Sequence, residues 1–289
     1  MTVEQNIREA LSQLTAAEKK AARALLAEYP IVGLTPVAEF AKTAGTSPPT
    51  VLRFIARIGY ASYPAFQQAL RREIQESLLS PLDKGRPKAI EPAAAPSALD
   101  ETFERIRDNL ARTARDLPRA EIDAACTLLG DSKYRCYLLG GRFTDSIAAY
   151  MASHLRIVRP GVRRFDGQVS TWQDQILDIR AGDVAVIFDI RRYQEDILTV
   201  ARCLANRKAR IVLITDQWLS PVARYARIVL PCRIDIGLTW DTSAALLALT
   251  EVLINRVTME SWDRSRERME YLELVHQPGG ARRGGRAAE

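Results

Sequence analysis

Between Phe40 and Arg72 the chain carries five basic residues, Lys42, Arg53, Arg57, Arg71 and Arg72, and no acidic one. A surface of one sign attracts phosphates whatever the base sequence, because each contact releases counterions. Arg53 and Arg57 are four residues apart, which on a helix places both on one face. Their planar guanidinium forks suit phosphates and the edge of guanine. A second set of capable residues falls in three short segments. Gly140-Gly141-Arg142-Phe143-Thr144 has two glycines through which backbone N–H groups can approach an anion. Asp189-Ile190-Arg191-Arg192-Tyr193 offers a double guanidinium for phosphate or carboxylate, with Asp189 able to neutralise one arginine. Asp216-Gln217-Trp218-Leu219-Ser220 adds a carboxylate and a hydroxyl, although Ser220 before Pro221 serves equally as a helix cap.

The first set requires a helix-turn-helix. Val51, Phe54, Ile55 and Ile58 form one buried stripe, which leaves Thr50, Arg53 and Arg57 outward. Ser47 is the expected N-cap, with Pro48 at the first helical position. Gly45 suits a positive φ in the turn before it, and Gly59 ends the helix. Phe40 and Ala41, after Thr35-Pro36, mark the preceding helix, and Thr15 with Glu18 forms a capping box that opens an earlier one. The candidate DNA contacts are therefore Ser47, Pro48, Thr50, Arg53 and Arg57, flanked by Lys42, Arg71 and Arg72. The competing possibility is a plain three-helix module whose solvated face is basic.

The second set requires strands. Apolar runs over 134–139, 162–165, 183–188, 210–215 and 227–230 alternate with helical stretches over 144–158, 170–177, 194–207 and 241–258. Such alternation predicts an α/β domain with a parallel five-stranded sheet and helices on both faces. Ligands in such sheets bind beyond the carboxyl ends of the strands. The candidate ligand contacts all lie there: Gly140, Gly141, Arg142, Thr144, Asp189, Arg191, Arg192, Tyr193, Asp216 and Ser220. Two further helices, over 99–116 and 121–129, lead into this domain.

A segment rich in proline, residues 80–98 with Pro81, Pro87, Pro92 and Pro96, reads as a linker. It separates an all-α domain over 1–79 from the α/β domain over 99–262, with a glycine-bearing flexible tail over 263–289. The net charge of +6 over 289 residues is a weak pointer to nucleic acid, since residues 1–80 hold nine Lys/Arg against seven Asp/Glu. The acid-free window carries that argument. Cys126, Cys136, Cys203 and Cys232 are widely spaced and only two histidines, His154 and His276, accompany them, so neither a zinc site nor another metal is expected. No G-x-G-x-x-G or Walker lysine indicates a nucleotide cofactor, and none is expected. No run of about 18 apolar residues and no leader segment is present, which predicts a cytoplasmic protein without a membrane partner.

The two halves together resemble the RpiR/MurR family of bacterial transcription regulators. The resemblance spans residues 14–76 and 120–258. It is carried by Thr15 and Glu18, by Ala44-Gly45-Thr46-Ser47-Pro48-Pro49-Thr50-Val51-Leu52-Arg53-Phe54, and by Ile58-Gly59-Tyr60 with Tyr63 and Phe66. In the second half Leu139-Gly140-Gly141, Gly182-Asp183, Ile214-Thr215-Asp216 and Leu219-Ser220-Pro221 carry it. It implies a helix-turn-helix joined to a sugar isomerase (SIS) domain that senses a phosphosugar. It further implies double-stranded operator DNA as partner, control of carbon or sugar metabolism genes, assembly as a homodimer or homotetramer, and no enzymatic activity. One departure stands out. SIS domains usually place S-x-S-G-x-T after the central strand, where this chain has Asp189-Ile190-Arg191-Arg192-Tyr193-Gln194. The hydroxyls that grip a sugar phosphate are replaced by guanidiniums, so a small anionic metabolite is expected without a phosphosugar being the default. The alternatives are a SIS-type isomerase or other carbohydrate-derivative-binding protein, and an interaction module that does not bind DNA.

Overall fold

The computed structural model describes residues 2–11, 13–78, 81–84 and 96–276. Most of the expected linker, and the tail beyond 276, lie outside the described residues. The chain divides into two compact units at Lys84/Gly85.

The first unit is helical throughout: α1 (Val3–Ala10), α2 (Ala16–Ala27), α3 (Ile31–Leu34), α4 (Val37–Thr43), α5 (Pro48–Arg57), α6 (Tyr63–Leu78) and α7 (Pro81–Lys84). The capping box closes the start of α2: the Glu18 N–H donates to Thr15 Oγ1 (3.4 Å) and the Thr15 N–H to Glu18 Oε2 (2.8 Å). Val51, Phe54, Ile55 and Ile58 are buried as their spacing requires, among Leu25, Phe40, Phe66 and Leu70. Phe40 and Phe54 meet edge to face at 6.5 Å, which fixes α4 against α5. The turn between them needs Gly45, whose φ is +60°.

In the second unit α8 (Pro96–Asp116) and α9 (Arg119–Gly130) precede β1 (Cys136–Gly140), α10 (Asp145–Val158), β2 (Val162–Arg164), α11 (Trp172–Ile176), β3 (Val184–Asp189), α12 (Glu195–Asn206), β4 (Arg210–Asp216), β5 (Ile228–Cys232), α13 (Ala244–Glu260) and α14 (Trp262–His276). All strand pairs are parallel, in the order β2-β1-β3-β4-β5. The central β3 is buried along its whole length, as its unbroken apolar run requires. Val184, Val186 and Phe188 face a core shared with α9, α10 and α13, while Ala185 and Ile187 face one built with α11 and α12. The chain order reverses between β1 and β3, so a crevice opens beyond their carboxyl ends.

Residues 263–276, expected as the start of a flexible tail, are instead helical and belong to this unit. The Arg264 guanidinium donates to the Gly130 carbonyl at the end of α9 (2.8 Å). Arg268 donates to the Ile157 and Arg156 carbonyls at the end of α10 (2.8 and 2.7 Å). These arginines close the carbonyl ends of two helices and seat α14 on them. Among the described residues no helix is long and apolar enough to cross a membrane.

Candidate functional site

On the first unit, α5 presents Pro49, Leu52, Arg53 and Ala56 outward, and Lys42, Ser47 and Pro48 are exposed beside them. Two expectations are corrected. Thr50 is buried at 5 % exposure, and its hydroxyl accepts from Arg53 Nη2 (3.1 Å), so it steadies the arginine instead of facing outward. The Ser47 hydroxyl makes no capping bond and lies 2.9 Å from that of Thr50: Pro49 at the second helical position has no N–H, and the Thr50 N–H donates to the Ser47 carbonyl (2.9 Å). Arg57 is exposed but committed: it donates to the Gln13 carbonyl (2.9 Å) and lies 3.5 Å from the buried Glu18 carboxylate. Arg53 is thus the less encumbered of the two. Arg71 and Arg72 are exposed on α6. Leu52 was not singled out by sequence reasoning. It falls outside the buried stripe, is 45 % exposed beside Arg53, and suits apolar contact with a thymine methyl.

On the second unit the three strand-end segments come together. Gly140 lies under the first turn of α10, where a Cβ would stand 2.5 Å from the backbone of Asp145. The Gly141 N–H donates to Thr144 Oγ1 (2.8 Å) and to the Phe188 carbonyl (3.2 Å), and the Thr144 hydroxyl donates to that same carbonyl (2.8 Å). The Arg142 N–H donates to Gln194 Oε1 (2.6 Å), so the Gln194 amide fills the space over Gly141.

Arg191 is not the half of an open fork that its sequence position predicts. Its side chain is 2 % exposed, pairs with Asp241 (2.5 Å) and Asp235 (3.2 Å), and stacks on Trp218 at 4.2 Å. A guanidinium so buried requires such partners. Asp189 does not take up the arginine pairing that its position allows; it accepts from the Ser220 hydroxyl, which also caps the Val222 N–H. Asp216 is a hub, accepting from the Tyr193 hydroxyl (2.8 Å), the Trp218 N–H (2.9 Å) and the Arg191 N–H. Tyr193, Asp216, Ser220 and Thr144 thus hold the loops together, and their polar atoms point inward. Arg192 differs from all of these. It is exposed, forms no ion pair among the described residues, and has a φ of +65°. It occupies the place of the glycine in S-x-S-G-x-T, and the left-handed backbone persists without the residue that tolerates it. Arg142 is likewise exposed and carries its guanidinium over the Phe143 ring at 5.2 Å.

Burial raises both internal carboxyls. Asp189 is pushed up to about 7, with the nearby Asp216 charge adding to the effect and Ser220 opposing it. Asp216 is pushed up to about 6 against the hydrogen bonds it accepts. The folded chain thus binds these protons more tightly than the unfolded chain, whose carboxyls titrate near 3.8. The resulting stabilisation is complete below about pH 4 and is lost as pH rises through 6 to 7. The second unit should therefore be less stable near pH 8 than near pH 5, by on the order of 1–3 kcal/mol, and melt at a lower temperature there. Asp189→Asn keeps an acceptor for Ser220 and should flatten the trend; an unchanged slope in thermal melts would place it on other groups.

Among the described residues no cluster of three or more His, Cys, Asp or Glu is placed to hold a metal. The four cysteines are free.

A helix-turn-helix unit followed by a doubly wound α/β unit defines a class of DNA-binding transcription regulator. Residues 1–77 match the helix-turn-helix domain of the rpiR family, and residues 128–256 match the SIS domain. The chain belongs to the RpiR family of regulators with a C-terminal SIS domain. Solved structures agree on the fold. The RpiR transcription factor of Sphaerobacter thermophilus (sugar isomerase domain) is 19 % identical, covers 59 % of this chain and 95 % of its own, and has a TM-score of 0.55. The Vibrio vulnificus NanR protein complexed with ManNAc-6P is 17 % identical over 95 % of this chain and 98 % of its own, with a TM-score of 0.54. A putative sugar-phosphate isomerase from Listeria monocytogenes is 12 % identical over 64 % of this chain and 100 % of its own, with a TM-score of 0.52. None of the curated proteins matches the chain.

Proposed function

We propose that this protein binds operator DNA through α5 and responds to a small anionic metabolite held at the carboxyl ends of β1, β3 and β4. The observation that carries the DNA half is the outward stripe of Leu52 and Arg53 on a short helix within an acid-free window. The protein acts in the cytoplasm as a homodimer, so that two such helices meet a pseudo-palindromic site about one DNA turn apart. Its targets are genes of carbon or sugar metabolism, as the rpiR and SIS matches suggest. Arg142 and Arg192 are the ligand's cationic partners. Arg191, though adjacent in sequence, is a structural tie.

A gel-shift titration against the DNA upstream of its own operon tests this function. Specific binding tighter than to bulk DNA at physiological salt is expected, and its absence would refute it. Arg53→Ala should weaken operator binding by about 1–3 kcal/mol while leaving random DNA less affected, since a bidentate base contact carries sequence information. An equal loss on both would make Arg53 a phosphate contact.

Sugar-phosphate isomerisation is the second possibility, and the SIS fold motivates it. It needs a base beside the substrate carbonyl. Asp189 and Asp216 have suitable pKa values, but their oxygens are engaged by Ser220, Tyr193, Trp218 and Arg191. Turnover of sugar phosphates by the full chain, lost in Asp189→Asn, would favour it.

A further inference from the structure

Taking the strand-end mouth as the ligand site, as proposed above, we infer that its ligand carries a flat aromatic ring beside its negative charge. The chemical class is an aromatic carboxylate, seated on Phe143 and Trp240 and paired with Arg192 and Arg142.

Phosphate recognition needs several donors converging on three oxygens. Four of the groups at this mouth that could supply them are engaged with one another or with the loops. Thr144 Oγ1 and the Gly141 N–H bond each other and the Phe188 carbonyl, the Arg142 N–H is taken by Gln194, and Ser220 by Asp189. Two exposed guanidiniums, Arg142 and Arg192, stand beside them, and one fork is enough for a planar carboxylate.

The apolar half of the argument is the aromatic pair. Phe143 is 57 % and Trp240 64 % exposed, and they meet edge to face at 6.2 Å. They arrive from opposite sides, Phe143 on the loop after β1 and Trp240 on the loop after β5. Both are held in place. Trp240 precedes Asp241, which is fastened to Arg191, and the Thr242 N–H closes its loop on the Ile234 carbonyl (2.9 Å). The Phe143 carbonyl accepts from the Ser146 hydroxyl (3.1 Å), and Arg142 stacks on the Phe143 ring. Ordering two large rings in water before any ligand arrives lowers the entropy lost on binding a third.

Arg192 lies in the chain between Arg191, which is tied to Asp241, and Gln194, which is tied to Arg142. Its left-handed backbone carries a steric cost, and such costs cluster at ligand sites.

The test is isothermal titration and thermal melting of the full chain with benzoate, salicylate and cinnamate. Cyclohexanecarboxylate, glucuronate, glucose 6-phosphate and inorganic phosphate serve as comparators. The aromatic acids should bind most tightly and raise the melting temperature. Trp240→Ala should weaken them roughly five- to tenfold, with Trp240→Phe retaining most of the affinity. Arg192→Gly relieves the backbone and removes the charge, so it should melt no lower than the parent yet lose the response; this separates binding from folding. Tighter binding of glucuronate or glucose 6-phosphate overturns the aromatic ring and leaves the mouth as a ligand site. Binding of none of the probes also overturns the inference, and a drop in self-association of Trp240→Ala would then assign the aromatic pair to contact between copies. Ligand-free operator binding, measured by gel shift on the same preparations, judges the regulator function separately.

Discussion

Arg191→Ala should destabilise the second unit by about 3 kcal/mol, because removing one partner of a buried ion pair leaves the other charge uncompensated. Asp241 and Asp235 keep part of their surface in water, at 23 % and 32 % exposure, which holds the cost at the lower end of the range for buried pairs. Loss of the stack on Trp218 adds to it. In a unit of this size the melting temperature should fall by roughly 10 °C. Restoring neutrality identifies the cause: Arg191→Met combined with Asp235→Asn and Asp241→Asn should recover part of the loss. An Arg191→Ala chain that melts with the parent, yet no longer answers to ligand, would return Arg191 to the role its sequence position suggested.

Gly140→Ala should be at least as damaging. The added methyl would run into the Thr144–Asp145 peptide link: Asp145 Cα and N at 2.5 Å and the Thr144 carbonyl carbon at 2.6 Å. Overpacking a core costs about 1–3 kcal/mol when side chains can yield. Here no side chain is in the way, so the start of α10 must lift off β1 and the cost should exceed about 3 kcal/mol. Gly141→Ala is the natural control. Its methyl would meet the Gln194 amide oxygen at 2.6 Å, the end of a flexible side chain that can swing aside. A Gly140→Ala chain within about 1 kcal/mol of the parent in denaturant melts would contradict this packing.

Elements with strong local signals were legible in the sequence. The Thr15–Glu18 capping box, the turn at Gly45 and the buried strand, read over 183–188 and found over 184–189, follow from residue chemistry within a few positions, and the sheet architecture from strand–helix alternation. The linkage between loops was not legible. Asp235 and Asp241 lie 44 and 50 residues from Arg191, and nothing local to Asp189-Ile190-Arg191-Arg192 distinguishes the arginine that turns inward from the one that stays in water. Thr50 was misplaced because helical spacing alone left it on the outward side, whereas the structure buries it at the edge of the stripe. Helix α14 escaped for another reason. It is held chiefly by arginine–carbonyl bonds at the ends of α9 and α10, so it shows little apolar periodicity to read.

That mode of attachment recurs. Arg159, with no exposed surface, donates to the Leu129 and Tyr134 carbonyls; Arg207 closes on Leu177 and Ile179; Arg210 on Gly182; Arg105 on Ile236. Between residues 96 and 276 the only lysines are Lys133 and Lys208. An ammonium is a point charge on a thin stem, whereas a guanidinium can bridge two carbonyls and still lie flat against its neighbours. The isoelectric point of about 9.2 is in good part a by-product of this joinery. Part of what titration would score as basicity is rivets set into backbone, most completely at Arg159, which offers no surface for a passing polyanion to claim.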